Sequence, residues 1–355
     1  MDDFDYDLPI ERIAQTPIEP RDSARLLVSL GRGSIEHRLV RDLPSFLRPG
    51  DVIVLNETKV IPARLALRKP TGGAVEVLLV DLVSPPELPD CPEPQQRAWK
   101  ALVKPSRKVP PGTRLQPGPG LAVEIGAHLG GGQRHVRLLD PVSNEPLGLD
   151  LEQSELNRHG VLPLPPYITT ALSDQTRYQT TFAKTPGSAA APTAGLHFTA
   201  ELLDRCRNAG ATIHTVELCV GLDTFRPVSV DRPEDHEIHS ERFRVSEATL
   251  QACLEARAKG GRVFAIGTTS VRALESAAAS RSLEGRTRLF IYGDYQFRVV
   301  DVLLTNFHLP RSSLLLLVHA FAGERWRDLY EEAKRFEYRF LSFGDALLLG
   351  AAKGV

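Results

Sequence analysis

Two patterns of apolar and polar residues alternate along this chain of 355 residues. In the second half, short apolar runs rich in β-branched residues are each followed by a segment whose apolar positions have helical spacing. This order predicts alternating strands and helices, as in an α/β domain. The clearest helix begins after Ser246, which can cap it, and ends at Gly260 and Gly261, directly before the apolar run VFAIG.

Residues 61–187 follow a different pattern. Strand-like runs such as AVEVLLVDLV and LAVEIG are separated by turns rich in Pro and Gly, with almost no helical periodicity. These features predict an all-β domain, either a barrel or a sandwich. The runs RLLVSL and DVIVLN, within residues 1–60, are apolar enough for burial on both faces of a sheet. We therefore predict a discontinuous α/β domain of residues 1–60 and 188–355, with an all-β domain inserted at 61–187.

Composition limits the location and the chemistry. The longest uncharged apolar stretch, residues 312–323, is 12 residues long, against the roughly 20 that a membrane span requires. The first nine residues carry four aspartates and no Lys or Arg, unlike a secretory signal, so we expect a cytoplasmic protein without membrane association. The four cysteines are far apart and form no CxxC pair, which favours free thiols without a bound metal.

Charge is distributed unevenly, although the net charge is only −1. Between Arg97 and Arg137 there are eight basic residues and a single acid, Glu124. Such a local excess suits contact with nucleic-acid phosphates, because each neutralised phosphate releases counterions. The alternative is an ordinary solvated face of the β domain.

The motifs of common cofactor sites are absent: the sequence has no G-x-G-x-x-G after a strand, no P-loop and no G-x-S-x-G. The segment VFAIGTTSVRALES instead predicts a buried strand that ends at Gly267 and a helix that begins near Ser270. Thr268, Thr269 and Ser270 would then present hydroxyl and N–H groups at a helix N-terminus, where an anion or carboxylate binds well. Arg272 can add a forked donor pair. The alternative is simple N-capping with a surface arginine.

A second polar segment is the Gly/Ala-rich loop TPGSAAAPTAGLHFT, residues 185–199. Small residues let a ligand approach the backbone closely. His197 can act there as a general base or as a donor that orients a ligand, and Phe198 can stack on a purine. The alternative is a loop packed against the core. The segment TNFHLP, residues 305–310, follows another buried strand and can form a further wall of the same site.

A pair of histidines, His236 and His239, has H-x-x-H spacing, with Glu237 between them and Glu241 just beyond. Histidines at i and i+3 share a helix face, so this spacing permits a metal site. Proton transfer and polar ligand contacts use histidine equally well, and both remain open for these residues.

Eight ordered blocks together resemble the S-adenosylmethionine:tRNA ribosyltransferase-isomerase family of queuosine biosynthesis. They are LNETKVIPARL (55–65), LPLPPYI (162–168), PGSAAAPTAGLHFT (186–199), VGLDTFRPV (220–228), HEIHSE (236–241), IGTTSVRALES (266–276), TNFHLP (305–310) and YRFLSFGDA (338–346). The resemblance covers the chain nearly end to end. It implies a discontinuous α/β barrel-like domain with an inserted β-barrel.

The resemblance also implies a reaction. The ribosyl part of S-adenosylmethionine is transferred to the aminomethyl group of 7-aminomethyl-7-deazaguanine at the tRNA wobble position and is isomerised, giving epoxyqueuosine, adenine and methionine. S-adenosylmethionine is then consumed as a substrate, so we expect no cofactor and no metal. The partners implied are S-adenosylmethionine and a tRNA with a deazaguanine-modified anticodon, and we expect the protein to act as a monomer.

This reaction needs a base beside the sulfonium and preorganised donors. Candidates for the base are His197 first, and then His239, Glu241 and His308. Candidates for binding S-adenosylmethionine, with Thr269 or Arg272 at its carboxylate, are Pro192, Thr193, Gly195, Phe198, Thr268, Thr269, Ser270, Arg272 and Asn306. Candidates for contacting tRNA and its modified base are Asn56, Thr58, Arg64, Lys100, Lys104, Arg107 and Lys108.

Three positions in two segments depart from the family pattern. Cys219 stands where the family usually has histidine, and Gly293 and Asp294 stand where it has Pro-Gly. Since the surrounding blocks are intact, we expect the position of Cys219 to tolerate change or to be structural. Two other functions remain open. One is an RNA-binding protein without catalysis, in which the basic β domain binds, and the other is a metal-dependent hydrolase that uses His236 and His239.

Overall fold

The computed structural model describes residues 1–31, 35–69, 71–83, 98–221, 228 and 230–352. In chain order its strands are β1 (Arg25–Ser29), β2 (Glu36–Leu39), β3 (Val52–Asn56), β4 (Thr58–Val60), β5 (Arg64–Arg68), β6 (Ala74–Val83), β7 (Ala98–Lys104), β8 (Thr113–Gly118), β9 (Leu121–Gly130), β10 (Gln133–Leu139), β11 (Gly160–Val161), β12 (Thr185–Ser188), β13 (Thr212–Leu218), β14 (Glu241–Val245), β15 (Val263–Ile266), β16 (Glu284–Thr287), β17 (Val302–Asn306) and β18 (Ala346–Gly350). Its α-helices are α1 (Leu149–His159), α2 (Ala200–Asn208), α3 (Glu247–Ala258), α4 (Thr268–Ser280), α5 (Ser313–Ala322) and α6 (Arg325–Arg335). Within the described ranges, no helix combines the length and the apolarity that a membrane crossing requires.

The chain forms two compact units. The α/β unit comprises residues 1–59, 165–185 and 191–355, and the barrel unit comprises residues 60–164 and 186–190. Residues 165–185 thus belong to the α/β unit, whereas the sequence pattern placed them in the inserted domain.

Polar contacts to the N-terminal segment explain where residues 165–185 belong. The Gln15 side chain donates to the carbonyl oxygen of Tyr167 (2.9 Å) and accepts from the Thr169 amide (2.9 Å). The Arg177 guanidinium donates to the carbonyl oxygen of Ile18 (2.8 Å). Gln15 and Tyr167 are 152 positions apart in the chain, so no local pattern indicates this contact.

The α/β unit is built on a nine-stranded mixed sheet with the order β16-β14-β13-β3-β15-β17-β18-β1-β2. Strands β13, β3, β15 and β17 are parallel to one another. Strand β18 is antiparallel to β17, and β1 is parallel to β18, with Leu26 opposite Ala346. The earliest strand of the unit is therefore a direct neighbour of the last.

Burial separates the central strands from the outer ones. Strands β3, β15, β17 and β18 are buried at every residue, as expected for apolar runs covered on both faces. The outer strands β16 (EGRT) and β2 (EHRL) are polar and largely solvent-accessible. Two side chains from each central strand, among them Leu55, Phe264 and Leu304, pack in a core that includes Leu202 of α2. Helices α3 and α4 contact β3, β13 and β15.

Helix starts follow the capping signals in the sequence. The helix predicted after Ser246 is confirmed as α3, where the Ser246 hydroxyl accepts a hydrogen bond from the Thr249 amide (3.1 Å). Helix α4 begins at Thr268, two residues earlier than the prediction near Ser270. The reason is Gly267, whose φ of +86° turns the chain directly from β15 into the helix, a conformation that favours glycine.

The barrel unit contains a closed antiparallel barrel of six strands in the order β5-β6-β7-β10-β9-β8. Pairing of Arg68 in β5 with Gln116 in β8 closes it, and β11 adds to the outer side of β5. Helix α1 packs on this unit through buried Leu156 and through Glu152, which accepts a hydrogen bond from the Trp99 indole (3.2 Å). The predicted class, an α/β domain with an inserted β-barrel, is confirmed.

A fully buried arginine organises one end of the barrel. The Arg134 guanidinium donates to the backbone carbonyl oxygens of Gly126 (2.7 Å), Ser106 (3.0 Å) and Val109 (2.9 Å). Its side chain is 0% exposed. This member of the basic stretch therefore serves the barrel's own backbone and does not face a nucleic acid.

We predict that Arg134→Met destabilises the protein. The substitution leaves three buried carbonyl groups without a donor, and each such group costs about 1 kcal/mol or more. Scanning calorimetry of the full chain should show a lower unfolding temperature. Arg107→Met, at an exposed position of the same unit, is the matched control and should change the free energy of unfolding by less than about 0.5 kcal/mol. Equal effects of the two substitutions would contradict the assigned role.

Candidate active site

The carboxyl ends of the parallel strands meet at one edge of the α/β sheet. The register aligns Leu55 of β3 with Ile266 of β15, and Ile266 with Leu304 of β17. Ligands of open α/β sheets bind outside this edge. The polar segments after β15 and β17, which the sequence analysis singled out, therefore emerge next to each other.

Asn306, the last residue of β17, joins three segments at this edge. Its Oδ1 accepts a hydrogen bond from Thr193 Oγ1 (2.9 Å). Its Nδ2 lies 3.1 Å from the carbonyl oxygen of Leu341 and 3.3 Å from His197 Nε2. Asn306 is buried. Its amide thus holds the loop around residues 193–197 against β17 and the segment before β18.

The loop after Pro192 forms a short 3-10 helix, Thr193–His197, in which the last four residues are buried. A Cβ atom at Gly195 would lie 2.8 Å from the Phe182 ring and 2.9 Å from Thr180 Cγ2, so this close approach requires glycine. A Cβ at Gly267 would lie 3.5 Å from the Ala194 Cβ. The two predicted substrate loops are therefore adjacent in the structure.

Phe198 has a different environment from the predicted one. Its side chain is 0% exposed and belongs to the hydrophobic core of the α/β unit. A stacking surface for a purine has to be open to the ligand, and the core position of Phe198 does not provide one. The alternative considered for this part of the loop, packing against the core, describes Phe198 correctly.

Two buried histidines lie at the site. Burial lowers the pKa of His197 to about 4, and the positive charges of Arg339 and Arg21 act in the same direction. Burial lowers the pKa of His308 to about 3. His308 Nε2 lies 2.9 Å from Thr305 Oγ1. Both imidazoles are therefore neutral at physiological pH.

A small cavity lies beside Asn306 and His308, and its lining includes Tyr167, Thr193 and Ser342. The Tyr167 hydroxyl and Ser342 Oγ are 2.7 Å apart. The sequence analysis assigned no role to Tyr167 or Ser342. The signal that could have found them is their place in two of the eight blocks, LPLPPYI and YRFLSFGDA.

Glu241 and Arg272 had separate predicted roles, but the structure pairs them. Arg272 Nη1 donates to Glu241 Oε2, and Arg272 Nε donates to the carbonyl oxygen of Leu289 (3.1 Å). Both side chains are buried. The Glu241 carboxylate is therefore engaged by a guanidinium. Of the neighbouring histidines, His239 is exposed and His236 packs edge-on against Phe290, with the ring centroids 5.4 Å apart.

The start of α4 carries two buried polar atoms with no hydrogen-bond partner in the described parts of the chain, Thr269 Oγ1 and Arg272 Nη2. These residues are three positions apart, so they lie on the same side of the helix. Ser270 differs from them, because its hydroxyl donates to the carbonyl oxygen of Ile266 (2.7 Å). Thr268 is buried in the first turn.

Asn56 and Thr58 use their polar atoms within the α/β unit. Asn56 Nδ2 donates to the carbonyl oxygen of Leu218 (3.0 Å), and Asn56 Oδ1 accepts from the Leu218 amide (3.2 Å). The Thr58 hydroxyl donates to the same carbonyl oxygen (3.3 Å). Both side chains are buried. In this arrangement Asn56 joins β3 to β13, Thr58 joins the start of β4 to β13, and the polar atoms of both are engaged within the protein. Arg64 lies in the barrel unit and forms an ion pair with Glu76 (3.0 Å).

The basic stretch of the barrel unit is less uniform than its composition suggests. Lys104, Arg107 and Lys108 are exposed, and Lys100 is half-buried on β7, opposite Asp81 of β6. Arg114 and Arg137 both donate to Glu124. Arg97 lies outside the described residues, as do residues 222–227 of the block VGLDTFRPV. The exposed positive charge is concentrated in the turn 104–108.

Sequence comparison assigns the chain to a family. A family model described as queuosine biosynthesis protein matches residues 1–349. The chain belongs to the queuosine biosynthesis protein family. Relatives named S-adenosylmethionine:tRNA ribosyltransferase-isomerase are 50% identical in Symbiobacterium thermophilum (98% of this chain, 99% of that protein) and 50% identical in Thermus thermophilus (98% of each). The crystal structure of S-adenosylmethionine tRNA ribosyltransferase from Thermotoga maritima is 36% identical, covers 98% of this chain and 99% of its own, and has a TM-score of 0.54.

Two of the positions that depart from the family pattern, Cys219 and Gly293, have defined local environments. The Cys219 amide donates to the Arg242 carbonyl oxygen (2.9 Å), and Arg242 Nη2 lies 3.4 Å from Cys219 Sγ. Gly293 has a φ of +59°, where glycine is favoured. Among the residues that the structure describes, no group of three or more His, Cys, Asp or Glu side chains could hold a metal ion.

We predict that His308 makes stability fall on acidification. A pKa lowered below the usual 6.5 means that the unfolded chain binds a proton that the folded chain does not, so stability is lost as pH falls below about 6.5. Between about pH 7.5 and about pH 5 this group should cost about 2 kcal/mol. Urea titrations at both values should show a smaller loss for His308→Gln than for the wild type.

The matched control for this pH dependence is His128→Gln, which removes an exposed histidine of the barrel unit. Its loss of stability on acidification should equal that of the wild type. An unchanged pH dependence in His308→Gln would contradict the buried, neutral state assigned to His308.

Proposed function

We propose that this protein is an S-adenosylmethionine:tRNA ribosyltransferase-isomerase. It transfers the ribosyl moiety of S-adenosylmethionine to 7-aminomethyl-7-deazaguanine at the tRNA wobble position and isomerises it, giving epoxyqueuosine-tRNA, adenine and methionine. The observation that carries this proposal is the 50% identity over 98% of the chain to relatives of that name. The polar segments of the resemblance that are described in the structure lie at one sheet edge, which supports it.

S-adenosylmethionine is proposed to bind between the 192–198 loop and the start of α4. Thr269 Oγ1 and Arg272 Nη2 are buried without partners in the described structure, and such atoms cost roughly 1–3 kcal/mol each unless a ligand or water satisfies them. Both are donors at a helix N-terminus, where the partial positive charge favours an anion. The methionine carboxylate of the substrate fits this pair. Glu241 orients the Arg272 guanidinium from the other side.

Catalysis requires a base for the proton next to the sulfonium and donors for the ribose and the leaving purine. His308 is a buried, neutral imidazole that lines a cavity together with Thr193 and Asn306. His197 is a second buried, neutral imidazole, and its Nε2 lies 3.3 Å from Asn306 Nδ2. They are better placed for this work than Glu241, which is paired with Arg272, or His239, which is exposed. S-adenosylmethionine serves as substrate, and no metal or other cofactor is part of the proposal.

The tRNA is proposed to bind the barrel unit through the turn that carries Lys104, Arg107 and Lys108. These three side chains are exposed, and their charges suit the phosphate backbone, which dominates the affinity of protein–nucleic acid contacts. We further propose that the enzyme acts in the cytoplasm and as a monomer.

The test of the reaction is incubation of the purified protein with S-adenosylmethionine and tRNA that carries the aminomethyl-deazaguanine. Adenine release measured by chromatography, together with an epoxyqueuosine nucleoside measured by mass spectrometry, is the expected result. Tight, salt-sensitive tRNA binding without adenine release would favour the RNA-binding protein without catalysis. Turnover that is abolished by a chelator would favour the metal-dependent alternative at His236 and His239.

Thr269 and Arg272 are the residues proposed to bind the carboxylate of S-adenosylmethionine. We predict that Thr269→Val raises the KM for S-adenosylmethionine about tenfold and changes kcat less, because the hydroxyl contacts a part of the substrate away from the reacting atoms. Thr212→Val is the matched control, because Thr212 is an exposed threonine at the opposite end of β13. Its KM should equal that of the wild type. An unchanged KM in Thr269→Val would remove this residue from the substrate site.

For tRNA, we predict that replacing Lys104, Arg107 and Lys108 together by Gln weakens binding and makes it less dependent on salt. Each lost phosphate contact should reduce the slope of log K against log salt by about 1. The KM for S-adenosylmethionine should stay unchanged. Filter binding across a salt series measures the slope.

The control for charge alone removes three exposed positive charges from the α/β unit. The residues replaced by Gln are Arg207, Lys259 and Arg281. Equal weakening in the two triple variants would show that binding follows net charge, and the turn 104–108 would lose its assigned role.

A further inference from the structure

The orientation of the Asn306 amide is determined by its surroundings. Its Nδ2 lies 3.1 Å from the Leu341 carbonyl oxygen and 3.5 Å from that of Asp345. Carbonyl oxygens only accept hydrogen bonds, so the amide nitrogen, which only donates, must face them. Its Oδ1 then faces Thr193 Oγ1 at 2.9 Å. A flipped amide would place two oxygens against each other at the Leu341 contact.

This orientation decides where His197 carries its proton. The Asn306 Nδ2 that faces the two carbonyl groups also lies 3.3 Å from His197 Nε2. Nδ2 has two hydrogens, and its two nearest acceptors are the Leu341 carbonyl oxygen and His197 Nε2. Nε2 is then the acceptor and carries no proton of its own. In a neutral imidazole the proton then resides on Nδ1. The lowered pKa of His197, caused by burial and by the charges of Arg339 and Arg21, agrees with a neutral ring.

We propose that Asn306 is a positioning residue that holds His197 as the neutral Nδ1–H tautomer, so that His197 serves the substrate as a hydrogen-bond donor and not as the general base. This inference rests on the proposed function. The ribose oxygens and the purine nitrogens of S-adenosylmethionine are acceptors that such a donor suits. The purine nitrogen that gains the electron pair when the glycosidic bond breaks benefits most.

The proton next to the sulfonium then has to go to another group. His308 is the other buried, neutral imidazole at this edge, and it lines the cavity shared with Asn306 and Thr193. Its Nε2 is held by Thr305. The two histidines thus divide the work, with His197 donating and His308 accepting.

The tautomer is tested by long-range ¹H–¹⁵N correlation NMR of the ¹⁵N-histidine-labelled protein without substrate. The expected spectrum of His197 has a protonated Nδ1 and an unprotonated Nε2, with the resonance assigned through its loss in His197→Ala. A protonated Nε2 in the wild type would overturn the inference. This readout does not depend on turnover, so it stands apart from the test of the proposed function.

The positioning role is tested by Asn306→Asp, in which a carboxylate that can only accept replaces the donor. His197 Nε2 should then gain a proton at neutral pH. Thr193→Val is the control, because it removes the contact to Oδ1 and leaves Nδ2 facing the carbonyl groups, so the tautomer should stay the same. A His197 signal that is unchanged in Asn306→Asp would assign Asn306 a purely structural role.

The donor role is tested by comparing His197→Asn with His197→Ala in adenine release. The asparagine amide places an N–H group near the position of Nδ1, so His197→Asn should retain at least about tenfold more kcat than His197→Ala. Both variants should keep the wild-type acid limb of the pH–rate profile. Equal inactivity of the two variants, or loss of the acid limb in both, would identify His197 as the base. If the wild type itself releases no adenine, the proposed function fails, while the tautomer result remains valid.

Discussion

Two asparagines at equivalent strand ends hold the candidate site together, because a buried amide must satisfy both its donor and its acceptor. Asn56 ends β3 and Asn306 ends β17, on either side of β15. Asn56 uses its amide on the backbone of Leu218 and on the Thr58 amide, and so joins β3 to β13. Asn306 uses its amide on Thr193, His197 and the Leu341 carbonyl group, and so joins loops. Asn56 therefore has a structural role, whereas Asn306 contacts residues of the candidate site.

The requirement that buried polar groups form hydrogen bonds also explains two arginines elsewhere in the molecule. In the barrel unit, Arg134 satisfies three carbonyl groups of its own backbone. At the start of α4, Arg272 has partners for Nη1 and Nε but none, among the described residues, for Nη2. In the function proposed above, the open Nη2 of Arg272 is available to the substrate, whereas every contact of Arg134 named here is to the barrel's own backbone. Arg134 and Arg272 are both buried, so burial does not distinguish them. The hydrogen-bond partners of each guanidinium nitrogen do.

Much of the fold could be predicted from local pattern. The apolar runs that became β3, β15 and β17, the cap at Ser246 and the turn-rich barrel segment all act within a few residues of chain. The features that the local pattern did not indicate depend on partners elsewhere in the chain. Residues 165–185 belong to the α/β unit, where Tyr167 binds Gln15. Arg134 donates to the Val109 carbonyl oxygen within the barrel, and Arg272 donates to Glu241. A count of charges overestimates the free positive charge of the basic stretch, because Arg114 and Arg137 both donate to the Glu124 carboxylate. Sequence motifs were sufficient to select the proposed site residues. Which of them act as hydrogen-bond donors, as acceptors or as structural residues depends on distances that only the structure gives.

The pairing of β1 with β18 has a consequence for how the chain is made. Leu26 lies opposite Ala346, so β1 gains this neighbour only after nearly the whole polypeptide has been synthesised. The barrel strands β5 to β10 are contiguous in sequence and can assemble much earlier, since closing shorter loops costs less entropy. Contacts between distant parts of a chain also form slowly. During translation the apolar run of β1 therefore lacks its β18 neighbour at a stage when the barrel strands can already pair, and apolar segments exposed in such an interval favour aggregation.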